Sequence, residues 1–192
     1  MEKMKECNID LLVAGCSTNC LHCYVDGGPA SYMPLDDMEY LFSRLKTING
    51  LLLHEPFSFS VTLDNEPANH PQALTVFHLA ERYLKPFYFH HGSTTGIPYL
   101  QRKDRDELLS FLFDAGWKEV SFAVHGAEKN HNLMVKHPNA LGYLMEASDL
   151  FHAHGFQVGV SLMLSKALIC IMAIQEMSEE KTVIFESYLM KL

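Results

Sequence analysis

Three cysteines within eight residues constrain this 192-residue chain more than any other feature. Cys16, Cys20 and Cys23 follow the spacing C-x3-C-x2-C, and an aromatic residue, Tyr24, comes directly after the third. The residues before them, 9–14, form a short and mostly apolar run that predicts a buried strand. The sequence therefore predicts three thiols on a loop at the carboxyl end of the first strand.

Thiols this close together have a small set of chemical explanations. Disulfide bonding would leave one cysteine over, and no secretory signal precedes the loop. Structural zinc takes four protein ligands, commonly from two separated pairs. Three thiolates can also hold an iron–sulfur cluster, in which one iron stays open to a further ligand. On the spacing alone, the zinc and iron–sulfur interpretations both stay open.

The composition argues against a broad nucleic-acid-binding surface and a membrane span, and it favours a reducing compartment. The net charge is −8, which argues against a broad nucleic-acid-binding surface because phosphate binding needs clustered Lys and Arg. The longest apolar tract, residues 162–174, is interrupted by Ser165 and Lys166 and is shorter than the roughly 20 residues of a membrane span. We expect no membrane span and a reducing, cytoplasmic location.

The chain alternates short apolar runs with longer helical stripes, which is the pattern of βα units in one domain spanning residues 1–192. Strands are predicted at residues 9–14, 57–63, 86–89, 120–124 and 156–162. Helices are predicted to begin at Pro34, Pro71, Asp104 and Pro138. Asn49-Gly50 is expected to end the first helix, and Asp104 with Glu107 resembles a capping box.

The pattern is clear through residue 165 and weak over residues 166–192. A fifth helix at 166–180 and a sixth strand at 182–185 are predicted, with no room for another full helix. The predicted fold is α/β, a partial (β/α)6-like barrel of parallel strands whose last helix is missing.

Polar residues follow each predicted strand. Ligands of parallel α/β folds bind at the carboxyl ends of the strands, so these residues are the candidate site. Besides the cysteine loop they are Asp64-Asn65-Glu66-Pro67, His90-His91-Gly92, His125-Gly126 and the region around Ser161.

The cysteine spacing, with the aromatic residue after the third cysteine, resembles the signature of the radical SAM superfamily. The resemblance implies that Cys16, Cys20 and Cys23 hold a [4Fe–4S] cluster whose open iron takes the amino and carboxylate groups of S-adenosylmethionine (SAM). It also implies that Tyr24 lies beside the adenine. Both cofactors, the cluster and SAM, are expected on this basis.

Two further stretches carry a looser resemblance to the same family. Asp64, Asn65 and Glu66 stand where members often have a Gly-Gly-Glu-Pro-like motif that contacts the SAM amino group, although both glycines are replaced. A polar turn that opens the second helix is the alternative. His125 stands where an aspartate is common in the family, and this match implies that His125 contacts the SAM ribose or the substrate. Lys136 lies near the position at which some members have an arginine that reaches the SAM carboxylate.

Two adjacent histidines complete the predicted site. His91 is a candidate pocket residue because the family often has Asn-Gly at this place. Successive strand residues point to opposite faces, so His90 and His91 are not predicted to share a metal ion. Since the chain has 11 histidines, a surface or packing role is the alternative for His125 as well.

The implied function is that of a radical SAM enzyme, which cleaves SAM reductively to a 5′-deoxyadenosyl radical that abstracts hydrogen from a substrate. Residues 122–126, followed by His131-Asn132, resemble a stretch of many peptide-modifying members, which implies a peptide or protein substrate. An external reductant of flavodoxin or ferredoxin type is expected. The alternative is a truncated, non-catalytic homologue that binds an iron–sulfur cluster or zinc as a binding module. The weak pattern beyond residue 165 motivates this alternative.

Overall fold

The structure is a computed structural model, which describes residues 5–21, 23, 31–52, 57–85, 88–90 and 93–162. Tyr24, His91, the predicted helix at 166–180 and the predicted strand at 182–185 lie outside the described residues. None of the helices in the described part is long and apolar enough to cross a membrane.

Parallel strands alternate with helices along the described chain. In the first half these are β1 (Lys5–Leu12), α1 (Leu35–Leu52), β2 (Phe57–Asp64), a 3-10 turn (Pro67–Asn69), α2 (Ala73–Leu84) and β3 (Tyr88–His90). In the second half they are β4 (Ser93–Thr94), α3 (Ile97–Gln101), α4 (Arg105–Asp114), β5 (Glu119–Val124), α5 (Glu128–Val135), α6 (Ala140–Ala153) and β6 (Gln157–Leu162).

The strands form two three-stranded sheets, in the orders β1-β2-β3 and β4-β5-β6. Every pairing is parallel, with Leu12 opposite Asp64 at the end of the first sheet and Val124 opposite Leu162 at the end of the second. The predicted α/β class with parallel strands is therefore confirmed. The described residues form no closed barrel.

A single hydrophobic core joins strands from both sheets to the helices. Val61 and Leu63 of β2 and Phe122 of β5 are fully buried together with Phe77 of α2. Buried and less buried residues alternate along β5, as expected for a strand with one face on the core. Because the strands are parallel, their carboxyl ends share one edge in each sheet, where the polar loops follow.

Local details differ from the sequence-based predictions in several places. The first strand spans Lys5–Leu12 rather than 9–14, because its pairing with β2 begins at Lys5 opposite Phe57. Helix α1 continues through Asn49-Gly50 to Leu52, so the predicted stop there was wrong.

The predicted capping box at the start of α4 was also wrong. Asp104 does precede the helix, but its side chain makes no capping hydrogen bond. Its carboxylate instead accepts two hydrogen bonds from Arg102, at 2.8 Å from Nε and 2.7 Å from Nη2. The short helices α3 and α5 were not predicted.

Candidate functional site

An open cavity lies where the loops after several strands meet. Its volume, with the opening to solvent included, is about 650 Å³. Six of the predicted site residues line it, namely Cys16, Cys20, Cys23, Asn65, Glu66 and His125. Residues remote in sequence, from three different strand ends, therefore meet at this cavity.

The cysteine loop is attached to the fold through its backbone. Near its start, the N–H of Gly15 donates to the carbonyl of Ser31 at 2.6 Å. Further along, the N–H of Leu21 donates to the carbonyl of Met134 in α5 at 2.8 Å. The loop thus bridges the first strand and a helix of the second half of the chain.

One hydroxyl connects two of the three thiols. Thr18 Oγ1 lies 3.1 Å from Cys16 Sγ and 3.5 Å from Cys20 Sγ, and the Thr18 backbone N–H donates to Cys16 Sγ at 3.5 Å. Thr18 is only 9% exposed. The two sulfurs therefore face the same buried hydroxyl, whereas Cys23 is exposed.

The thiols sit in surroundings that disfavour their charged form. Burial raises the pKa of the Cys16 thiol to about 11, with a smaller contribution from the nearby carboxylate of Glu66. Burial also raises the pKa of Cys20. Both groups are thus protonated thiols at neutral pH in the metal-free protein, so metal binding would have to displace their protons.

The described cysteines form no disulfide bonds with each other. Among the described residues, no group of three or more His, Cys, Asp or Glu side chains is arranged to hold a metal ion. The assignment of Cys16, Cys20 and Cys23 as metal ligands stays a prediction.

The turn after β2 also lines the cavity. Asn65 has a left-handed backbone, with φ of 65°, a conformation that asparagine tolerates better than most residues. Its Nδ2 donates to the carbonyl of Ala14 at 3.3 Å, and Asn69 Nδ2 donates to the carbonyl of Gly15 at 3.0 Å. Two asparagines of this turn therefore hold the backbone at the base of the cysteine loop.

Glu66 is buried, at 4% exposure, and is held by the loop after β4. Thr94 Oγ1 lies 3.0 Å from both carboxylate oxygens, and the N–H of Thr95 donates to Oε1 at 2.6 Å. Burial raises the pKa of Glu66 to about 7, although these hydrogen bonds act in the opposite direction. Glu66 thus ties the first sheet to the second and titrates near neutral pH.

Two histidines stack at the end of β5. The rings of His125 and His131 lie 5.5 Å apart at an interplanar angle of 25°, and both residues line the cavity. The backbone N–H of His125 donates to Nδ1 of His131 at 3.2 Å. Burial lowers the pKa of His131 to about 4. His131 is therefore neutral at pH 7, with its proton on Nε2.

Other predicted residues are not brought to the cavity. Asp64 ends β2 opposite Leu12 and does not line the cavity. Lys136 is exposed at the end of α5, with a left-handed backbone at φ of 56°. Ser161 lies in β6, where its hydroxyl is 2.7 Å from that of Ser121.

The residues that hydrogen-bond to the predicted cysteines and to Glu66 were not predicted from the sequence. Thr18, Thr94 and Thr95 line the cavity beside the cysteines and Glu66. Thr18 could have been noticed because it lies inside the cysteine spacing. Thr94 and Thr95 carry no such signal, because their contact with Glu66 spans 28 and 29 residues and depends on how the strands align.

Comparison of the chain with protein-family models and with curated proteins gives no match.

Proposed function

We propose that this protein is a radical SAM enzyme, in which Cys16, Cys20 and Cys23 hold a [4Fe–4S] cluster and SAM occupies the adjoining cavity. The observation that supports the proposal is the shared cavity of the three thiols, Asn65 and Glu66. The cysteine spacing and the Glu66-Pro67 pair resemble motifs of the radical SAM superfamily, and this resemblance rests on the sequence alone. A cavity common to both stretches is what a cofactor bound between them would require.

The donor set suits such a cluster in its chemistry. Thiolates are soft ligands that prefer iron–sulfur clusters or zinc to hard cations. Each thiolate of a cluster binds a different iron, so the three sulfurs need not surround one ion. Two of them already face one hydroxyl, at 3.1 and 3.5 Å, on the side of the loop that lines the cavity.

The residues that share the cavity with the thiols fit the polar end of SAM. The side-chain oxygen and the backbone carbonyl of Asn65 can accept hydrogen bonds from an ammonium group, and Glu66 brings negative charge when it is ionised. The Thr94 hydroxyl fixes the orientation of this carboxylate. His125 stacks on the neutral ring of His131 and lines the cavity, where it could contact the ribose or the substrate.

When bound, the cluster and SAM would supply one-electron cleavage of SAM to a radical that takes hydrogen from the substrate. The protein would orient both groups and shield them from water with its buried walls. A reductant of flavodoxin or ferredoxin type would supply the electron, and a peptide or protein is the substrate class that the sequence favours. We also propose that the protein is located in the cytoplasm, where the reducing conditions keep thiols free of disulfide bonds.

A partial barrel of one domain is the fold that we propose around this site. The two sheets follow the chain in the order β1 to β6, and only two residues separate β3 from β4. In a βα barrel, parallel strands follow one another around the barrel in chain order. The proposal extends this order to the weakly patterned residues 166–192.

Anaerobic reconstitution with iron and sulfide, followed by dithionite and SAM, tests the proposal. We expect about four irons per chain and formation of 5′-deoxyadenosine. A cluster without 5′-deoxyadenosine would favour a non-catalytic binding module instead. Stoichiometric zinc in place of iron would contradict both the cluster and the enzyme.

A further inference from the structure

The buried hydroxyl of Thr18 has an unusual set of neighbours. Its hydrogen-bond partners in the structure are the sulfurs of Cys16 and Cys20, at 3.1 and 3.5 Å, and its backbone N–H also reaches Cys16 Sγ. Thr18 is 9% exposed, so water competes little for these contacts. A hydrogen bond in such surroundings is stronger than one in water.

The direction of these hydrogen bonds follows from the charge on sulfur. A thiol can donate to the Thr18 oxygen or accept from it. A thiolate ligand carries no proton and can only accept, so the hydroxyl must donate to it. Cys16 is the nearer sulfur and would also accept from the Thr18 backbone N–H, so it would receive two hydrogen bonds from one residue.

We propose that Thr18 sets the reduction potential of the cluster by donating a hydrogen bond from its hydroxyl to the thiolate of Cys16 or Cys20. This inference rests on the proposed function, because it needs the cluster. One electron enters the cluster on reduction and no bond breaks, so the sulfurs become more negative. A donor to sulfur stabilises the reduced form more than the oxidised form and raises the potential.

Thr18→Val tests this role because valine keeps the shape of threonine and the backbone N–H but lacks the hydroxyl. We expect the reduction equilibrium to become less favourable by about tenfold, which is about 59 mV for one electron. The measurement is a redox titration of the anaerobically reconstituted full chain, followed by electron paramagnetic resonance. Thr18→Ser keeps the hydroxyl and should restore the wild-type potential.

Two further variants separate the hydroxyl from packing. Thr18→Ala also lacks the hydroxyl and should shift the potential in the same direction as Thr18→Val. Thr75→Val makes the same chemical change at an exposed position of α2 and should leave the potential unchanged.

The outcomes distinguish this inference from the proposed function. Equal potentials for wild type and Thr18→Val overturn the role of Thr18 while the cluster assignment stands. A shift of the potential in Thr18→Val but not in Thr18→Ala would indicate a packing effect, and it would also overturn the role of Thr18. Wild-type protein that takes up no cluster overturns both the inference and the proposed function.

Discussion

The two sides of the cavity are held in different ways. The carboxylate wall, which we define as Asn65, Glu66 and Thr94, is fixed by a network of hydrogen bonds that links both sheets. The thiol wall, Cys16, Cys20 and Cys23, has Thr18 as a side-chain partner for two of its sulfurs. The backbone of its loop is bound at Gly15 and Leu21.

This difference separates structural residues from those that serve only the proposed cofactor. Glu66 is a buried group whose hydrogen bonds hold β4 against the turn after β2, so it contributes to stability whatever the cavity binds. The thiols should contribute little to the fold of the metal-free protein, since a neutral thiol is a weaker hydrogen-bonding group than a carboxylate. Substitutions in the two walls should therefore affect different quantities.

The largest effect is expected in the thiol wall. Cys20→Ala removes one of three proposed ligands, so we expect loss of the cluster iron and a fall in SAM cleavage of at least about 100-fold. The free energy of unfolding of the metal-free protein should change by less than about 1 kcal/mol. Iron analysis and urea unfolding measure the two quantities.

Cys7→Ala is the matched control for Cys20→Ala, because Cys7 lies within β1 and does not line the cavity. It should keep the iron. If Cys20→Ala also retains its iron, or if Cys7→Ala loses it, the thiol wall is wrongly assigned.

In the carboxylate wall, Glu66→Ala should reduce stability. The substitution leaves the Thr94 hydroxyl and the Thr95 N–H without their acceptor and opens a cavity in a buried region. We expect a loss of about 3 kcal/mol in the free energy of unfolding, measured on metal-free protein in urea. Glu119→Ala, at an exposed position of β5, should cost less than about 0.5 kcal/mol. Equal stabilities of the two variants would show that the carboxylate does not hold this wall.

A smaller effect should appear as a pH dependence from His131. Its pKa is about 4 in the folded protein, below the ordinary value of 6.5, because it is buried. Between these values the unfolded chain binds the proton and the folded chain does not, so stability is full above the ordinary pKa and falls as the pH drops towards 4. We expect a loss of at most about 3 kcal/mol across this range.

His131→Asn provides the comparison, since its amide oxygen can accept from the His125 N–H but does not titrate. Urea unfolding at several pH values should show a flatter stability profile for this variant than for wild type. His152→Asn, on the exposed face of α6, should keep the wild-type profile. An unchanged profile in His131→Asn would contradict the assignment of a buried neutral ring.

The smallest effect is expected outside both walls, at Lys136. Its φ of 56° is unfavourable for a residue with a Cβ, so Lys136→Gly should raise the free energy of unfolding by about 0.5 kcal/mol. Lys129→Gly, inside α5, should lower it by about 1 kcal/mol. Because Lys136 does not line the cavity, SAM affinity should change by less than about twofold. A large loss of SAM affinity would restore the predicted contact with the carboxylate.

The parts of the site that could be predicted from sequence lie directly after strands. Asn65, Glu66 and His125 follow β2 and β5, and the position of strand ends in parallel sheets brings such residues together. The alternating pattern also identified the parallel α/β class. These features depend on local periodicity, which a single sequence carries.

Contacts that depend on three-dimensional alignment could not be predicted. Thr94 reaches Glu66 only because β4 ends beside the turn after β2. The contact of Lys136 with the SAM carboxylate was expected from the family resemblance alone, and Lys136 follows the unpredicted helix α5 at an exposed position. Helix α5 is only eight residues long and mostly polar, so its formation was not evident from the pattern.

Electron paramagnetic resonance of the reduced, reconstituted protein with and without SAM tests the central claim most directly. If the three thiols hold a cluster whose open iron faces the cavity beside Asn65 and Glu66, adding SAM must change the cluster spectrum. We predict such a change in wild type and no cluster signal in Cys20→Ala. A cluster spectrum that is identical with and without SAM would contradict the account.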